Sequence, residues 1–502
     1  MAGSKGLATA ALALGAFLVA GCTFETAPSA PRHLVLVSID TLRAETLGCY
    51  GHPYVESPNL DQLAASGVRF DRFFTAASTT LSSHTTLFTG TYPHTHGVVS
   101  NGHAVAPSNR MLPEILTDEG FACAGFVGAV PLESEVGFDQ GFGHFDAEMG
   151  TGSRIARHQR PANEVTDAAL SWLDQRSGVG RSERLFLFVH YYDVHWPYAP
   201  PAPYLDMYRT ERSGLEGEER DLRAARRLLE EAASQGPGKQ EPGFAERVLA
   251  DEAIGRPLAR ALEADYAAGV TWTDSEVGRL LGGLALRGIE SEALVVVTSD
   301  HGETLAEHAN VINHGATVYD TEMRVPLIVR FPGEHHAGRV IDRMTSGVDL
   351  LPTLLAWMDL SDAQASKVIE GEDVSGILEG ELPPRLPVFA EATKPTGDIF
   401  NADEDWPNRD KFQCIRTRRH KYMFRLPDEH FRLYDVEVDP AEAQDLLLEP
   451  DDATRALANE LDAKLRTWRD DVRTGRASVP VDSERQREGL EALGYAGDDE
   501  GD

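Results

Sequence analysis

Leu294-Val295-Val296-Val297-Thr298-Ser299-Asp300-His301-Gly302-Glu303 is the stretch that decides the fold. An apolar run without alternation reads as a strand buried on both faces, as in a parallel sheet covered by helices. It ends on Asp300 and His301, side chains suited to metal or proton chemistry. In open α/β sheets such residues gather outside the carboxyl ends of strands. The same shape recurs upstream, where His33–Ile39 runs directly into Asp40. Phe121–Val127, Leu185–His190 and Pro326–Phe331 are further runs of this kind and read as buried parallel strands. Helical patterns lie between them; Val270, Val277, Leu280, Leu281 and Leu284 share one helix face. The predicted class is therefore α/β, a large, mostly parallel sheet sandwiched by helices. After Pro387 the pattern changes. Val388–Ala390, Cys414–Thr417, Lys421–Phe424 and Leu433–Val436 read as antiparallel strands, and Leu457, Leu461, Leu465, Trp468 and Val472 as an amphipathic helix. This is a smaller C-terminal α+β unit.

The chain has 502 residues, and 47 Lys+Arg against 80 Asp+Glu give a net charge of −33. With 42% hydrophobic and 25% charged residues it is not a disordered chain, a collagen or a multi-span membrane protein. The acidity argues against nucleic acid, whose phosphates need clustered Lys and Arg, and against passive adsorption to anionic lipid. Four cysteines exclude a disulfide scaffold. At the N-terminus Lys5 precedes an uncharged apolar run, Leu7 to Ala20, too short to span a bilayer comfortably. Its end, Leu18-Val19-Ala20-Gly21-Cys22, resembles the lipobox of bacterial lipoproteins. That resemblance implies a signal peptide over 1–21, lipidation of Cys22, a tether over 22–31 and a place on the cell envelope, at the outer membrane or periplasmic face. The remaining expected organisation is a catalytic domain over 32–385 with a helical insertion at 205–262, the small domain over 386–476, and a frayed acidic tail over 477–502.

Asp40 and Asp300–His301 both stand at carboxyl ends of strands in one sheet, so they can converge. Two carboxylates and an imidazole suit a divalent ion such as Zn or Mn. Thr80-Leu81-Ser82-Ser83-His84-Thr85-Thr86-Leu87-Phe88-Thr89-Gly90 lies between strands, followed by Tyr92-Pro93-His94-Thr95-His96-Gly97. With Leu47-Gly48-Cys49-Tyr50-Gly51, Gly137-Phe138-Asp139, His195-Trp196-Pro197-Tyr198, Thr298–Gly302, Arg324–Ile328, Val348–Thr353 and Leu433-Tyr434-Asp435, the chain resembles the sulfatase family of the alkaline phosphatase superfamily. Ser83, Leu87, Thr89 and Gly90 match the family signature around the nucleophile.

The departures shape what the resemblance implies. The nucleophile position holds Thr80, where sulfatases oxidise a Cys or Ser to formylglycine; threonine cannot yield that aldehyde. His84 replaces the signature's Arg, Thr41 its second Asp, and His301 its Asn ligand. The activating Lys has no match, and His314 lies nearby. A threonine nucleophile resembles the phosphodiesterase-like and phosphoglycerol-transferase-like branches. The implied chemistry is a metal-dependent hydrolase of sulfuric or phosphoric esters. Asp40, Asp300, His301 and Thr80 Oγ1 would hold one divalent ion (Zn, Mn, Mg or Ca, with Zn or Mn favoured), and a cation lowers the pKa of a hydroxyl nucleophile. His84, His195 and His314 are candidates to orient the oxyanion or protonate the leaving group. A second ion would draw on His190, Asp193 and His195, joined by His314, but their spacing favours one ion. Glu303 could support a ligand from behind, and Arg43 could meet a substrate anion. Two other readings stay open: an envelope transferase of phosphoglycerol or phosphoethanolamine groups, and a non-catalytic binding protein. The expected partner is a small-molecule or a glycan or lipid ester.

Overall fold

The computed structural model describes residues 30–150, 158–176, 183–212, 250, 252–308, 312–363, 368–380, 387–392, 412–425, 430–470, 481 and 483–492. The segments expected as a signal peptide and, for the most part, as a tether lie outside these residues, Cys22 among them. The strands in chain order are β1 (His33–Ile39), β2 (Val68–Phe74), β3 (Phe121–Phe126), β4 (His144–Asp146), β5 (Arg184–Tyr191), β6 (Ala293–Thr298), β7 (Thr304–Leu305), β8 (Ile312–Asn313), β9 (Leu327–Arg330), β10 (Arg339–Ser346), β11 (Val388–Glu391), β12 (Phe412–Arg416), β13 (His420–Arg425) and β14 (His430–Asp435). Eight of them form one sheet in the order β10-β2-β9-β6-β1-β5-β3-β4. Its ladders are parallel except those that β9 makes with β2 and β6. The run expected as a parallel strand at Pro326–Phe331 is thus antiparallel: apolar length records burial on both faces, not direction.

β1 and β6 show why these runs form central strands. Val35, Val37 and Ile39 enter one core layer with Val295 and Val297, packed under helices Ala162–Asp174 and Glu252–Leu286. Leu34, Leu36, Leu294 and Val296 enter the opposite layer with Leu81, Leu87 and Phe88 of helix Thr80–Thr89. Both faces of every central residue are covered, which is why neither strand alternates with polar residues.

β11 to β14 make a separate antiparallel sheet. One face packs Ile415, Tyr422, Phe424 and Leu433 against Leu461 and Leu465 of helix Asp452–Asp470. The other packs Val388, Cys414 and Met423 against Phe74, Val318 and Met344 beside the large sheet. This is the two-layer α+β unit expected after Pro387.

The insertion read at 205–262 divides. Met207–Arg212 closes as a π-helix and Tyr208 is buried, bonded to the Glu56 amide and the Thr271 hydroxyl. From Glu252 onward the chain is already the 35-residue helix, and Leu258, Ala261 and Leu262 are buried; most of the rest lies outside the described residues. The expected frayed tail is corrected in part. Glu484–Ala492 is a helix whose Leu490 is buried with Ala129, Val130 and Tyr192, and Gln486 donates to the Val130 carbonyl. Among the described residues no helix is long and apolar enough to cross a membrane.

Candidate active site

The site is built at the carboxyl ends of three adjacent strands. β1 lies between β5 and β6, with Ser38 in register with both His190 and Thr298. Asp40 and Asp300, just beyond, therefore emerge at the same level as His190. Helix Thr80–Thr89 delivers its first residue to this point. Thr79 is extended at its N-cap, and Gly90, left-handed at φ 65°, ends it with an amide bond to the Thr86 carbonyl. Every residue of that helix is buried. Three contacts pin it: Leu81 N–H to Asn101 Oδ1 at 2.8 Å, the Ser82 hydroxyl to the Val98 carbonyl at 2.7 Å, and the Ser83 hydroxyl to the Asp300 carbonyl at 2.7 Å.

Asp40, Thr80, Asp300 and His301 are all fully buried and come together. Thr80 Oγ1 donates to Asp40 Oδ2 at 3.3 Å. Asp300 Oδ1 accepts from the His301 amide at 2.8 Å, the Thr41 amide at 3.3 Å and the Ser299 hydroxyl at 3.4 Å. The other atoms of the cluster are the informative ones. Among the described residues, Asp40 Oδ1, Asp300 Oδ2 and His301 Nε2 have no hydrogen-bond partner. His301 Nε2 lies 3.4 Å from Asp300 Oδ2 and 3.9 Å from Asp40 Oδ1. Buried polar atoms without partners are costly, and two carboxylates with one imidazole fit a divalent cation. The charges agree. Burial and the neighbouring Asp300 push the Asp40 carboxyl well above its usual range. Burial also opposes ionisation of Asp300, but the facing His301, His84 and His190 rings and the His301 amide hold it below the usual range. A cation would let both acids ionise together.

Hydrogen bonds sort the histidines by which nitrogen is left to act. A carbonyl only accepts, so a ring nitrogen against one must carry the proton. His301 Nδ1 lies 2.9 Å from the Gly302 carbonyl, which leaves Nε2 as a lone pair facing the acids. His195 Nδ1 lies against the Trp196 carbonyl, which places the ring proton on Nδ1. His84 is different: Nδ1 donates to the Thr80 carbonyl at 2.7 Å and Nε2 accepts from the Ser38 hydroxyl at 2.8 Å. Both its nitrogens are committed, and burial holds it neutral with its pKa lowered to about 3. His190 takes the Gly128 amide on Nδ1 at 3.4 Å and donates from Nε2 to Asp40 Oδ2 at 3.2 Å. Burial lowers it to about 4. It orients the acid and has no lone pair left for an ion.

His195, Glu303 and His314 form a neighbouring cluster. The His314 ring stacks on His301 with centroids 4.8 Å apart, and His195 meets His314 at 4.7 Å. His314 Nδ1 is 3.0 Å from Glu303 Oε1, and Tyr198 donates its hydroxyl to Glu303 Oε2. Asp193 is not part of this group. It takes the Trp272 indole N–H at 2.8 Å, and burial raises it to about 6. Arg43 is tied to Glu45 at 2.6 Å and to Glu307 at 3.0 Å, so its guanidinium is committed away from an incoming anion.

Several contributors had no role assigned from sequence. Thr41 is left-handed at φ 56°, a strained state for a β-branched residue, held by Tyr266 donating to its carbonyl at 2.7 Å. That twist aims its amide at Asp300. Ser38 and Tyr198 hold His84 and Glu303. Ser38 is hidden inside an apolar strand; Tyr198 was visible only as part of the His195–Tyr198 motif.

Comparison with known proteins agrees with this fold. The Sulfatase family model matches residues 32–360, and the model for the C-terminal part of N-sulphoglucosamine sulphohydrolase matches residues 314–471. An N-acetylglucosamine-6-O-sulfatase of Bacteroides thetaiotaomicron is 24% identical, with 87% of each chain covered. A multifunctional alkaline phosphatase superfamily protein of Trinickia caryophylli is also 24% identical, covering 87% of this chain and 95% of that one. Among solved structures, a phosphonate monoester hydrolase of Silicibacter pomeroyi superposes with a TM-score of 0.67 at 20% identity, covering 89% of this chain and 96% of that one. A protein solved with its substrate D-glucosamine-2-N,6-O-disulfate superposes with a TM-score of 0.69 at 21% identity, covering 91% and 100%.

Proposed function

This chain belongs to the sulfatase family of ester hydrolases, and we propose that it cleaves sulfuric or phosphoric esters with Thr80, not a formylglycine, as nucleophile. The observation that carries the reading is Thr80 Oγ1, 3.3 Å from Asp40 Oδ2 at the start of a buried helix. When bound by Asp40, Asp300 and His301, a divalent cation supplies a Lewis acid that lowers the pKa of a hydroxyl and offsets negative charge.

The side chains do the rest. Asp40 Oδ2 accepts the Thr80 hydroxyl hydrogen and turns the Oγ1 lone pairs outward. His190 steadies that carboxylate, and His84 ties the Thr80 carbonyl to Ser38, so His84 is a positioning residue. Thr80 Oγ1 bonds to sulfur or phosphorus as the bond to the alcohol oxygen breaks. The proton given up by Thr80 balances the one the departing alcohol gains; water then bonds to sulfur or phosphorus, the bond to Oγ1 breaks, Oγ1 regains a proton from that water, and free sulfate or phosphate leaves. His195 and His314 line the face where the oxygens of the transferred group would lie. A sulfated sugar is supported by the glucosamine disulfate and N-acetylglucosamine relatives, and a phosphorus ester by the phosphonate hydrolase relative.

The test is turnover of nitrophenyl sulfate, phosphate and phosphodiester with Zn, Mn, Mg or Ca, for wild type and Thr80→Ala. Activity on one class that disappears in Thr80→Ala is expected; full turnover by the variant ends the reading. Adding an alcohol acceptor separates hydrolysis from transfer. The proposed place of action is the cell envelope, through a lipid on Cys22, supported by Leu18–Cys22. Labelled palmitate should enter the wild type and not Cys22→Ser.

A further inference from the structure

We propose that the C-terminal helix Glu484–Ala492 is a working part of the reaction face, with Gln486 and Leu490 as positioning residues that act on Asp40 and His195 from behind. The proposal rests on the preceding reading of that face as the reaction site. The helix begins past residue 471, where the second family match ends. It turns one side inward. Gln486, Gly489 and Leu490, at helical spacing, are buried, while Glu484, Arg485, Arg487 and Glu488 are exposed.

What that side touches decides its role. Leu490 packs with Ala129, Val130 and Tyr192 in a small cluster apart from the two large cores. The Tyr192 ring stacks on His195 with centroids 4.3 Å apart and planes 21° from parallel. Removing the Leu490 side chain would leave a void beside Tyr192, and groups that line a void lose the contacts that fix them. The stacked imidazole would follow the tyrosine. A second path runs through the backbone. Gln486 Nε2 donates to the Val130 carbonyl at 3.1 Å, and Arg485 pairs with Glu133, so the helix grips both ends of the Val130–Leu132 turn beyond β3. Two residues before that turn ends its approach, the Gly128 amide donates to His190 Nδ1 at 3.4 Å, and His190 Nε2 donates to Asp40 Oδ2 at 3.2 Å. Asp40 in turn accepts from Thr80. Just ahead of the helix, the Val481 amide donates to the Gly102 carbonyl at 2.8 Å, next to Asn101, whose side chain holds the Leu81 amide.

Gly489 sets how closely the helix lies on its seat. A Cβ there would fall 2.7 Å from Val130 Cγ1, closer than carbon atoms pack. Alanine is the better helix former of the two residues. Gly489→Ala therefore favours the helix and pushes it off Val130, which separates the helix itself from its docking.

The test compares full-length wild type with Gln486→Ala, Leu490→Ala, Gly489→Ala and the exposed-face control Glu488→Ala. On the nitrophenyl ester that wild type turns over, kcat should fall about 10–100-fold in the first three. KM and the urea midpoint should stay near wild type. Leu490→Met, which refills the volume, should restore kcat, and Glu488→Ala should match wild type. A second arm needs no substrate. The His195 ring-proton signals in NMR spectra, assigned by their loss in His195→Gln, should shift in Leu490→Ala and Gly489→Ala and stay in place in Glu488→Ala. Wild-type kcat in both Gln486→Ala and Leu490→Ala, His195 signals that do not move in Leu490→Ala, or turnover lost only in step with an earlier global melt overturns the proposal. An enzyme that needs Thr80 and ignores Leu490 and Gln486 would sink this inference and leave the functional reading standing. His195 signals that move in a protein whose Thr80→Ala variant keeps full turnover would sink the functional reading instead.

Discussion

Two buried charge clusters in this protein look alike by burial and differ in what balances them. In the joint between the two sheets, Lys421 Nζ meets Asp320 at 2.8 Å and Glu442 at 2.9 Å, and Arg416 meets Asp320 at 3.2 Å. Two cations face two acids, so the joint is neutral by its own side chains. At the reaction face Asp40 and Asp300 stand together, and among the described residues the ionisable groups facing the pair are imidazoles, two of them held neutral. Three atoms there are left without partners. A cluster that cancels its own charge fastens elements together; one that does not is prepared for a cation from outside.

The largest expected effect breaks the reaction face without touching the joint. Thr80→Ala should lower kcat/KM by at least about 10³-fold while the protein still folds, since it removes the attacking atom together with its hydrogen bond to Asp40. Initial rates and a urea melt on the same preparation check it. Lys421→Met is the reverse case. It strands two acids in the joint and should cost about 3–5 kcal/mol of unfolding free energy, read by urea titration, with the ion content of the remaining folded protein unchanged. A smaller effect belongs to His190→Gln. Removing the donor that orients Asp40 should cost about 10–100-fold in metal affinity or turnover while leaving the melt nearly where it was.

The smallest effect is in pH. Burial alone would raise Asp320, but Lys421 and Arg416 hold its carboxyl below the ordinary 3.8. The folded value is thus depressed relative to the unfolded one. Its contribution to stability is fully present above the ordinary value and is lost as pH falls toward the folded one. Melting temperature against pH should therefore drop in acid more steeply for wild type than for Asp320→Asn. Equal slopes would mean that the joint is not held by this charge.

The legible parts of the fold share one physical feature. β1, β5 and β6 are covered on both faces, so their sequences are unbroken apolar runs whose ends point to Asp40, His190 and Asp300. β2, Val68-Arg69-Phe70-Asp71-Arg72-Phe73-Phe74, gave no such signal because Arg69, Asp71 and Arg72 are only partly buried. The helix Glu484–Ala492 was lost in a charged tail, since one buried leucine is enough to seat it on Val130 and Tyr192. At the site, Asp40, Thr80, Asp300 and His301 could be found because family motifs and strand ends coincide on them. The division of labour among the histidines could not, because it depends on which carbonyl or hydroxyl meets each ring nitrogen.

The sequence by itself determined the layered α/β class, the small second sheet and the residue types at the reaction face, because burial and the alternation of strand and helix are written locally. Only the tertiary structure decided that β9 runs antiparallel, that Glu303 joins His314, that His84 and His190 are used up in holding Thr80 and Asp40, and that Asp40 and Asp300 face each other beside His301. Those facts depend on contacts between residues far apart along the chain, such as the Thr41 amide and the Asp300 carboxylate, 259 positions apart. No local pattern encodes them; they exist only once the strands lie side by side.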